Sequence, residues 1–330
     1  MESDSQPLTS KTCPESPKLA SSLRPLYLQF FQDLDLDTPL EFESQKLMDA
    51  VLSFASSTNI PLQPNTPSYQ ALMVGYSFGN NCLPYHDLDV KVYVTIYTWL
   101  IVLCDDAEQT GIVPDLEKFQ QRWIIGEQQP TVLLQALAKQ LRLSYDFYHP
   151  IVANLIVCSS FNFITSTALA AREGIKQKMT SPSEGGDGFA WYLRDKDGVG
   201  EAYAWFTFPK IQFPNPDIPV EAIDDMSRFF AHANDVLSFY KEELSGEDTN
   251  YINRKAMYQK ADTHSVLRAT AQDAVDCSRR IRSVLRGKGE YETAWRLYAA
   301  GYIRMHVLRA RYRLNEVGVG REPDVQEILQ

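Results

Sequence analysis

The chain has 330 residues, 44% of them hydrophobic and 22% charged, a composition that fits a folded globular protein and excludes a disordered one. Lys and Arg total 32 against 42 Asp and Glu, and the net charge of −10 excludes a broad basic surface for nonspecific nucleic-acid binding. It does not exclude an anionic small-molecule substrate, because a local cluster of cations or metals can override the global sign.

In chain order, residues 1–24 are rich in Ser, Pro and Lys and are expected to form a disordered leader, without the apolar stretch of a secretory signal. From Pro25 onward apolar residues recur at helical steps: Leu26, Phe30 and Leu34, then Leu47, Val51 and Phe54, and later Leu133, Leu134, Leu137 and Leu141. Residues 90–94 are the best strand candidate, but the apolar run continues through Cys104, which favours helix. That run is shorter than the roughly 20 residues a membrane span needs. Residues 151–171 carry no charge but include Asn154, Ser159, Ser160, Asn162 and Thr165, so a buried core helix is expected and not a span. Pro- and Gly-rich loops are expected at 61–67, 111–114, 181–188 and 213–219. Without hairpin turns, βαβ spacing or a long linker, the reading is one all-α domain over 25–317. Residues 318–330 are expected to be an irregular tail, since Gly318, Gly320 and Pro323 break a helix. Five scattered cysteines without a C-x-x-C pair offer neither a disulfide framework nor a zinc knuckle, and a reducing, cytoplasmic location is expected.

Four segments carry candidate chemistry. Asp105, Asp106 and Glu108 precede Gly111 and Pro114, in what reads as the last turns of a helix. Carboxylates there oppose the helix dipole by roughly 0.3–1 kcal/mol each when exposed, so they are either a solvated end or ligands of a hard cation such as Mg²⁺. Arg194-Asp195-Lys196-Asp197-Gly198 offers a guanidinium that can bind phosphate through two parallel hydrogen bonds, or is a charged turn. It is not an EF-hand, since later loop ligands are missing. Asn234, Ser238 and Glu242 fall on one helical stripe of about 80°, a set of oxygen donors suited to Mg²⁺ or a polar face of an amphipathic helix. Lys241 beside Glu242 offers a cation to phosphate, as do Arg311 and Tyr312 near the end of a helix predicted over 291–316. Ser238-Phe-Tyr-Lys241 lacks the partner motifs of a serine nucleophile, Gly198-Val-Gly200 lacks a third glycine, and no H-E-x-x-H occurs.

Taken together and in this order, the four segments resemble the class I terpene cyclases. The run NDVLSFYKE over 234–242, with Arg311-Tyr-Arg-Leu-Asn-Glu, is similar to the fungal trichodiene synthase family, and the resemblance runs from about residue 85 to 317. It implies a single-domain class I terpenoid synthase bundle around a central cavity, farnesyl diphosphate as substrate, three Mg²⁺ ions and a homodimer. It implies that Asp105 binds metal, with Asp106 and Glu108 beside it, and that Asn234, Ser238 and Glu242 bind a further ion. Arg194 would sense the diphosphate, with Asp197 and Gly198 as its coupling elements, and Lys241, Arg311 and Tyr312 would bind it directly. One position departs from the family pattern: Gln109 stands where a second acid is usual, four residues after Asp105. Tyr97, Thr98 and Ile101 share a face with Asp105 and are expected to line the cavity. The rival readings are a chain-elongating prenyltransferase, which typically presents two aspartate-rich boxes, and a silent helical protein that only binds prenyl diphosphates.

Overall fold

The computed structural model describes residues 16–36 and 44–320, and every regular element among them is helical. Helix α1 (Ser16–Leu34) begins upstream of Pro25 and runs through it. Residues 16–24, expected in the disordered leader, therefore belong to the fold, while 1–15 lie outside the described residues. Leu19, Leu23, Tyr27, Phe30 and Leu34 are all buried and repeat at three- and four-residue steps across the proline. Burying that stripe outweighs the roughly 3 kcal/mol an interior proline costs.

Helix α2 (Gln45–Ser57) is capped by Ser44, and α3 (Pro67–Cys82) by Thr66, whose hydroxyl accepts from the Tyr69 amide, with Pro67 in its first turn. Helix α4 (Leu88–Asp105) includes the strand candidate at 90–94, so the helical reading of that run holds. It packs tightly on α3 because Gly75 and Gly79 face Thr95; a Cβ at either would strike the Thr95 carbonyl or hydroxyl. Three short helices follow, α5 (Ala107–Thr110), α6 (Val113–Leu116) and α7 (Phe119–Ile125), and then α8 (Val132–Phe147).

Helix α9 (Pro150–Ala170) is, among the described residues, long and apolar enough to cross a membrane, but 56% of its most apolar window is buried inside the bundle. Its polar side chains bind other helices. Ser160 pairs with the Tyr97 hydroxyl at 2.7 Å, and Ser159 accepts from the Ala202 amide at 3.3 Å. The chain continues through α10 (Glu173–Thr180), α11 (Phe189–Asp197), α12 (Gly200–Phe206), α13 (Ile223–Ser245), α14 (Tyr251–Gln259), α15 (Thr263–Leu285) and α16 (Glu290–Leu308).

The helix predicted over 291–316 thus stops at Leu308. Arg311 and Tyr312 lie on a separate 3₁₀ turn, Ala310–Tyr312, closed by Arg313 in left-handed backbone at φ 55°. Of the expected tail, residues 318–320 lie in turn and bend backbone, and 321–330 are outside the described residues. Helices α3, α4, α9, α11, α12, α13, α14 and α16 all contribute side chains to one deep cavity, which is where the four sequence segments meet.

Candidate active site

Helix α4 stops at Asp105 because Asp106 leaves helical backbone, at φ −82° and ψ 25°, and α5 restarts immediately after it. The acidic residues therefore do not form one helix end, as the sequence suggested. Asp105 faces the cavity, Glu108 reaches its rim, and Asp106 lines no part of it. The Asp105 carboxyl is pushed up to about 6, first by burial and then by the charges of Asp197 and Asp106, against Arg311 and Arg194. Protein surrounds the carboxyl on most sides, yet water reaches it through the cavity mouth. Glu108 is tied to Lys176 of α10 by an ion pair.

The link between α11 and α12 is strained: Val199, a β-branched residue, sits in left-handed backbone at φ 49° and ψ 23°. Its neighbour Gly198 lies under the guanidinium of Arg194. A Cβ on Gly198 would come within 2.8 Å of Arg194 Nη1 and 3.0 Å of the Arg194 carbonyl, so the glycine leaves room for the arginine to fold back. Arg194 is 12% exposed in its side chain and spends nearly all its donors on protein. Nε donates to Asp235 Oδ1 at 2.7 Å and Nη1 to Asp197 Oδ1 at 3.1 Å. Nη2 donates to the Ala231 carbonyl at 3.1 Å and, at longer range, to Asn234 Oδ1 at 3.4 Å. Burial disfavours the guanidinium charge, but Asp235 and Asp197 outweigh it and hold Arg194 above its usual range. Burial raises Asp235 to about 7, with Arg194 opposing. Asp197 also lies 3.6 Å from Arg254 of α14, a buried cation that lines the cavity.

Helix α13 carries the predicted stripe. Asn234 and Glu242 line the cavity, and Ser238 is buried between them with its hydroxyl lacking any partner among the described residues. A buried hydroxyl without a partner is costly, and its place on this stripe fits a cation ligand. No group of three or more His, Cys, Asp or Glu that could hold a metal occurs among the described residues. The donor set is instead one amide, one hydroxyl and one carboxylate on α13, with Asp105 on α4. Hard oxygen donors of this kind, completed by substrate phosphate oxygens, suit Mg²⁺.

The predicted diphosphate contacts divide. Tyr312 lines the cavity, whereas Lys241 donates to Glu242 at 3.2 Å and Arg311 is exposed on its 3₁₀ turn, close enough for its charge to lower the Asp105 carboxyl. Thr98 and Ile101 line the cavity, but Tyr97 does not. Its ring packs on Phe206 at 4.8 Å and its hydroxyl is held by Ser160. The helical angle explains the correction: Thr98 and Ile101 lie within about 40° of Asp105, while Tyr97 is about 80° away. Deeper in, Phe78, Phe163, Tyr203, Phe230 and Tyr302 form an aromatic wall, with Phe78 and Tyr203 at 4.7 Å and Phe230 and Tyr302 at 4.9 Å. Sequence reasoning did not find Lys176 or Arg254, which sit in no motif. It also gave no role to Asp235, although a carboxylate beside a predicted ligand was a visible signal.

The cavity, about 590 Å³, thus joins a polar mouth to an aromatic interior. Comparison with known proteins gives a consistent picture. The family Trichodiene synthase (TRI5) matches residues 68–327. The chain is 62% identical to longiborneol synthase CLM1 of Gibberella zeae over 315 residues, covering 95% of this chain and 93% of that protein. It is 32% identical to terpene synthase BipA of Cochliobolus sativus over 304 residues, covering 91% and 90%. Among solved structures, it resembles a linalool/nerolidol synthase from Streptomyces clavuligerus in complex with 2-fluorogeranyl diphosphate. The TM-score is 0.60 at 11% identity, covering 83% of this chain and 97% of that one. Isoprene synthase from grey poplar leaves, in complex with three Mg²⁺ ions and dimethylallyl-S-thiolodiphosphate, gives 0.54 at 15% identity, covering 93% and 60%. At these identities the structural likeness establishes the all-α fold alone. With 260 consecutive residues of the family matched and a relative identical at well over half its positions, the chain belongs to the trichodiene synthase family of class I terpene cyclases.

Proposed function

We propose that this protein is a Mg²⁺-dependent sesquiterpene cyclase that ionises farnesyl diphosphate and closes the resulting carbocation. The observation that carries the reading is the two-part cavity, with oxygen donors and arginines at its mouth and aromatic rings behind them. Asp105 on one wall and Asn234, Ser238 and Glu242 on the other would hold the metal. Bound Mg²⁺ supplies charge compensation for the departing diphosphate.

The chain's own cations share that task. Arg194 and Arg254 meet at Asp197, so an anion arriving at the mouth competes with one carboxylate for two guanidinium groups. Tyr312, buried at the cavity wall, can donate its hydroxyl to a phosphate oxygen. Behind the mouth, Phe78, Phe163, Tyr203 and Phe230 displace water that would quench a carbocation. Each ring face can stabilise the cation by about 0.5–2 kcal/mol. The longiborneol synthase and BipA names support this reading, and the amide and hydroxyl on α13, in place of a second aspartate-rich box, favour cyclisation over chain elongation.

The test is incubation of purified protein with Mg²⁺ and, separately, geranyl, farnesyl and geranylgeranyl diphosphates, followed by gas chromatography of the extract. A C15 hydrocarbon or alcohol from farnesyl diphosphate is expected. Parallel incubations add isopentenyl diphosphate as the five-carbon donor, with the diphosphates read by liquid chromatography. Longer prenyl diphosphates there would assign the protein to chain elongation, and no product under either condition would overturn the enzyme reading.

A further inference from the structure

His306 lies on α16, fully buried and outside every sequence segment that points to the function. We propose that it is a positioning residue: as the Nδ1–H tautomer it holds the Asn234 amide with its oxygen turned toward the cavity. The inference rests on the reading of Asn234 as a metal ligand.

Three contacts determine the arrangement. Arg194 Nη2 lies 3.4 Å from Asn234 Oδ1, and a guanidinium can only donate, so the oxygen is the atom on the arginine side. The amide nitrogen then faces His306, with Nδ2 3.2 Å from Nε2. An amide nitrogen can only donate, so Nε2 must be an unprotonated acceptor. At the other side of the ring, Nδ1 lies 2.8 Å from the Tyr302 carbonyl. A carbonyl can only accept, so Nδ1 must carry the proton. The Tyr302 contact requires a proton on Nδ1 and the Asn234 contact an unprotonated Nε2, and together they select the neutral Nδ1–H tautomer.

The ring is also held in place by its neighbours. Tyr302 meets it edge-on at 4.7 Å, and Tyr312 lies against it at 4.3 Å. Tyr312 lines the same cavity. One imidazole therefore links a candidate diphosphate contact to a candidate metal ligand on a different element. Without the Nε2 acceptor, the Asn234 amide has less to oppose a half-turn that would present N–H groups to a cation. Partners that orient metal ligands typically change metal affinity by about 10–100-fold when removed.

The variant His306→Phe keeps a ring between Tyr302 and Tyr312 but removes both nitrogens, while His306→Gln restores an acceptor at about the Nε2 position. Binding of Mg²⁺ with inorganic diphosphate is measured by calorimetry on the full-length wild type and both variants, with circular dichroism reporting the fold. Affinity about tenfold weaker in His306→Phe, largely recovered in His306→Gln, is expected. A folded His306→Phe protein with wild-type affinity, or a His306→Gln variant as weak as His306→Phe, overturns the proposal. Wild-type protein that binds no Mg²⁺ and diphosphate overturns the metal-site reading itself, and the positioning role with it. A readout that needs neither variant is the ¹⁵N spectrum of histidine-labelled wild type. A protonated Nδ1 with an unprotonated Nε2 at His306 supports the assignment, and the reverse pattern overturns it.

Discussion

On the α13 wall of the cavity, Asn234 and Asp235 are held by Arg194 and His306 through hydrogen bonds of 2.7 to 3.4 Å, with Asp235 and His306 buried and Asn234 and Arg194 half-buried. On the facing α4 wall, Asp105 is open to solvent, Asp106 turns away, and Glu108 is tied to a lysine at the rim. One wall is built before any ligand arrives, while the other offers a carboxylate whose neighbours do little to fix it. Preorganised dipoles cost nothing to reorganise when charge develops, so the α13 wall is the better place to keep transition-state contacts.

That contrast can be broken experimentally. Arg194→Ala leaves the buried Asp235 without its ion-pair partner and should cost about 3–5 kcal/mol of stability in urea denaturation. Unchanged stability would mean that the α13 wall is not anchored by this arginine. Asn234→Ala should lower turnover on the order of 10²-fold while leaving the circular dichroism spectrum intact. Wild-type turnover would remove Asn234 from the ligand set.

The α4 wall should instead respond to pH. The Asp105 carboxyl, raised to about 6, must lose its proton before it can hold a cation. Mg²⁺ affinity should therefore fall as pH drops through about 6, by up to about tenfold per unit, and Asp105→Asn should flatten that profile. The same shift has a stability consequence of opposite sign in the metal-free protein. The folded state holds this proton more tightly than the unfolded chain, so the contribution is fully present below about 3.8 and lost as pH rises through about 6. Melting temperatures should fall less from pH 4 to 7 in Asp105→Asn than in the wild type, because only the Asp105 share of the loss is removed and Asp235, raised to about 7, contributes in both. The smallest effect is expected for Glu108→Gln, which removes a rim ion pair: turnover should stay within about threefold and the melting temperature unchanged. A loss comparable to that of Asp105→Asn would place Glu108 in the metal site and erase the contrast between the two acids.

How much of this was legible varied with how local the signal was. The helical stripe under α1 was present in the sequence on both sides of Pro25, but a Pro- and Ser-rich composition concealed it. Burial of Leu19 and Leu23 in the tertiary fold decided the matter. The reading of the run from 90 through Cys104 as helix, and of 151–171 as a core helix, survived because apolar length and polar content were informative within one element. The helix over 291–316 was drawn too long, since nothing near Leu308 announces the turn that carries Arg311 and Tyr312. Tyr97 was misplaced because 80° of helical rotation was treated as the same face.

The sequence by itself determined the all-α class, the Asn234, Ser238 and Glu242 stripe, and Asp105 at the end of an apolar helix. Each of these is a relation within one helix, where 3.6-residue periodicity turns spacing directly into geometry. Tertiary structure alone decided that Arg194 folds onto Asp235, that Arg254 and Lys176 reach the cavity while Lys241 does not line it, and that His306 meets Asn234. Those contacts join residues tens of positions apart on different helices. Their occurrence depends on how helix faces pack together, and no local pattern in the chain encodes that.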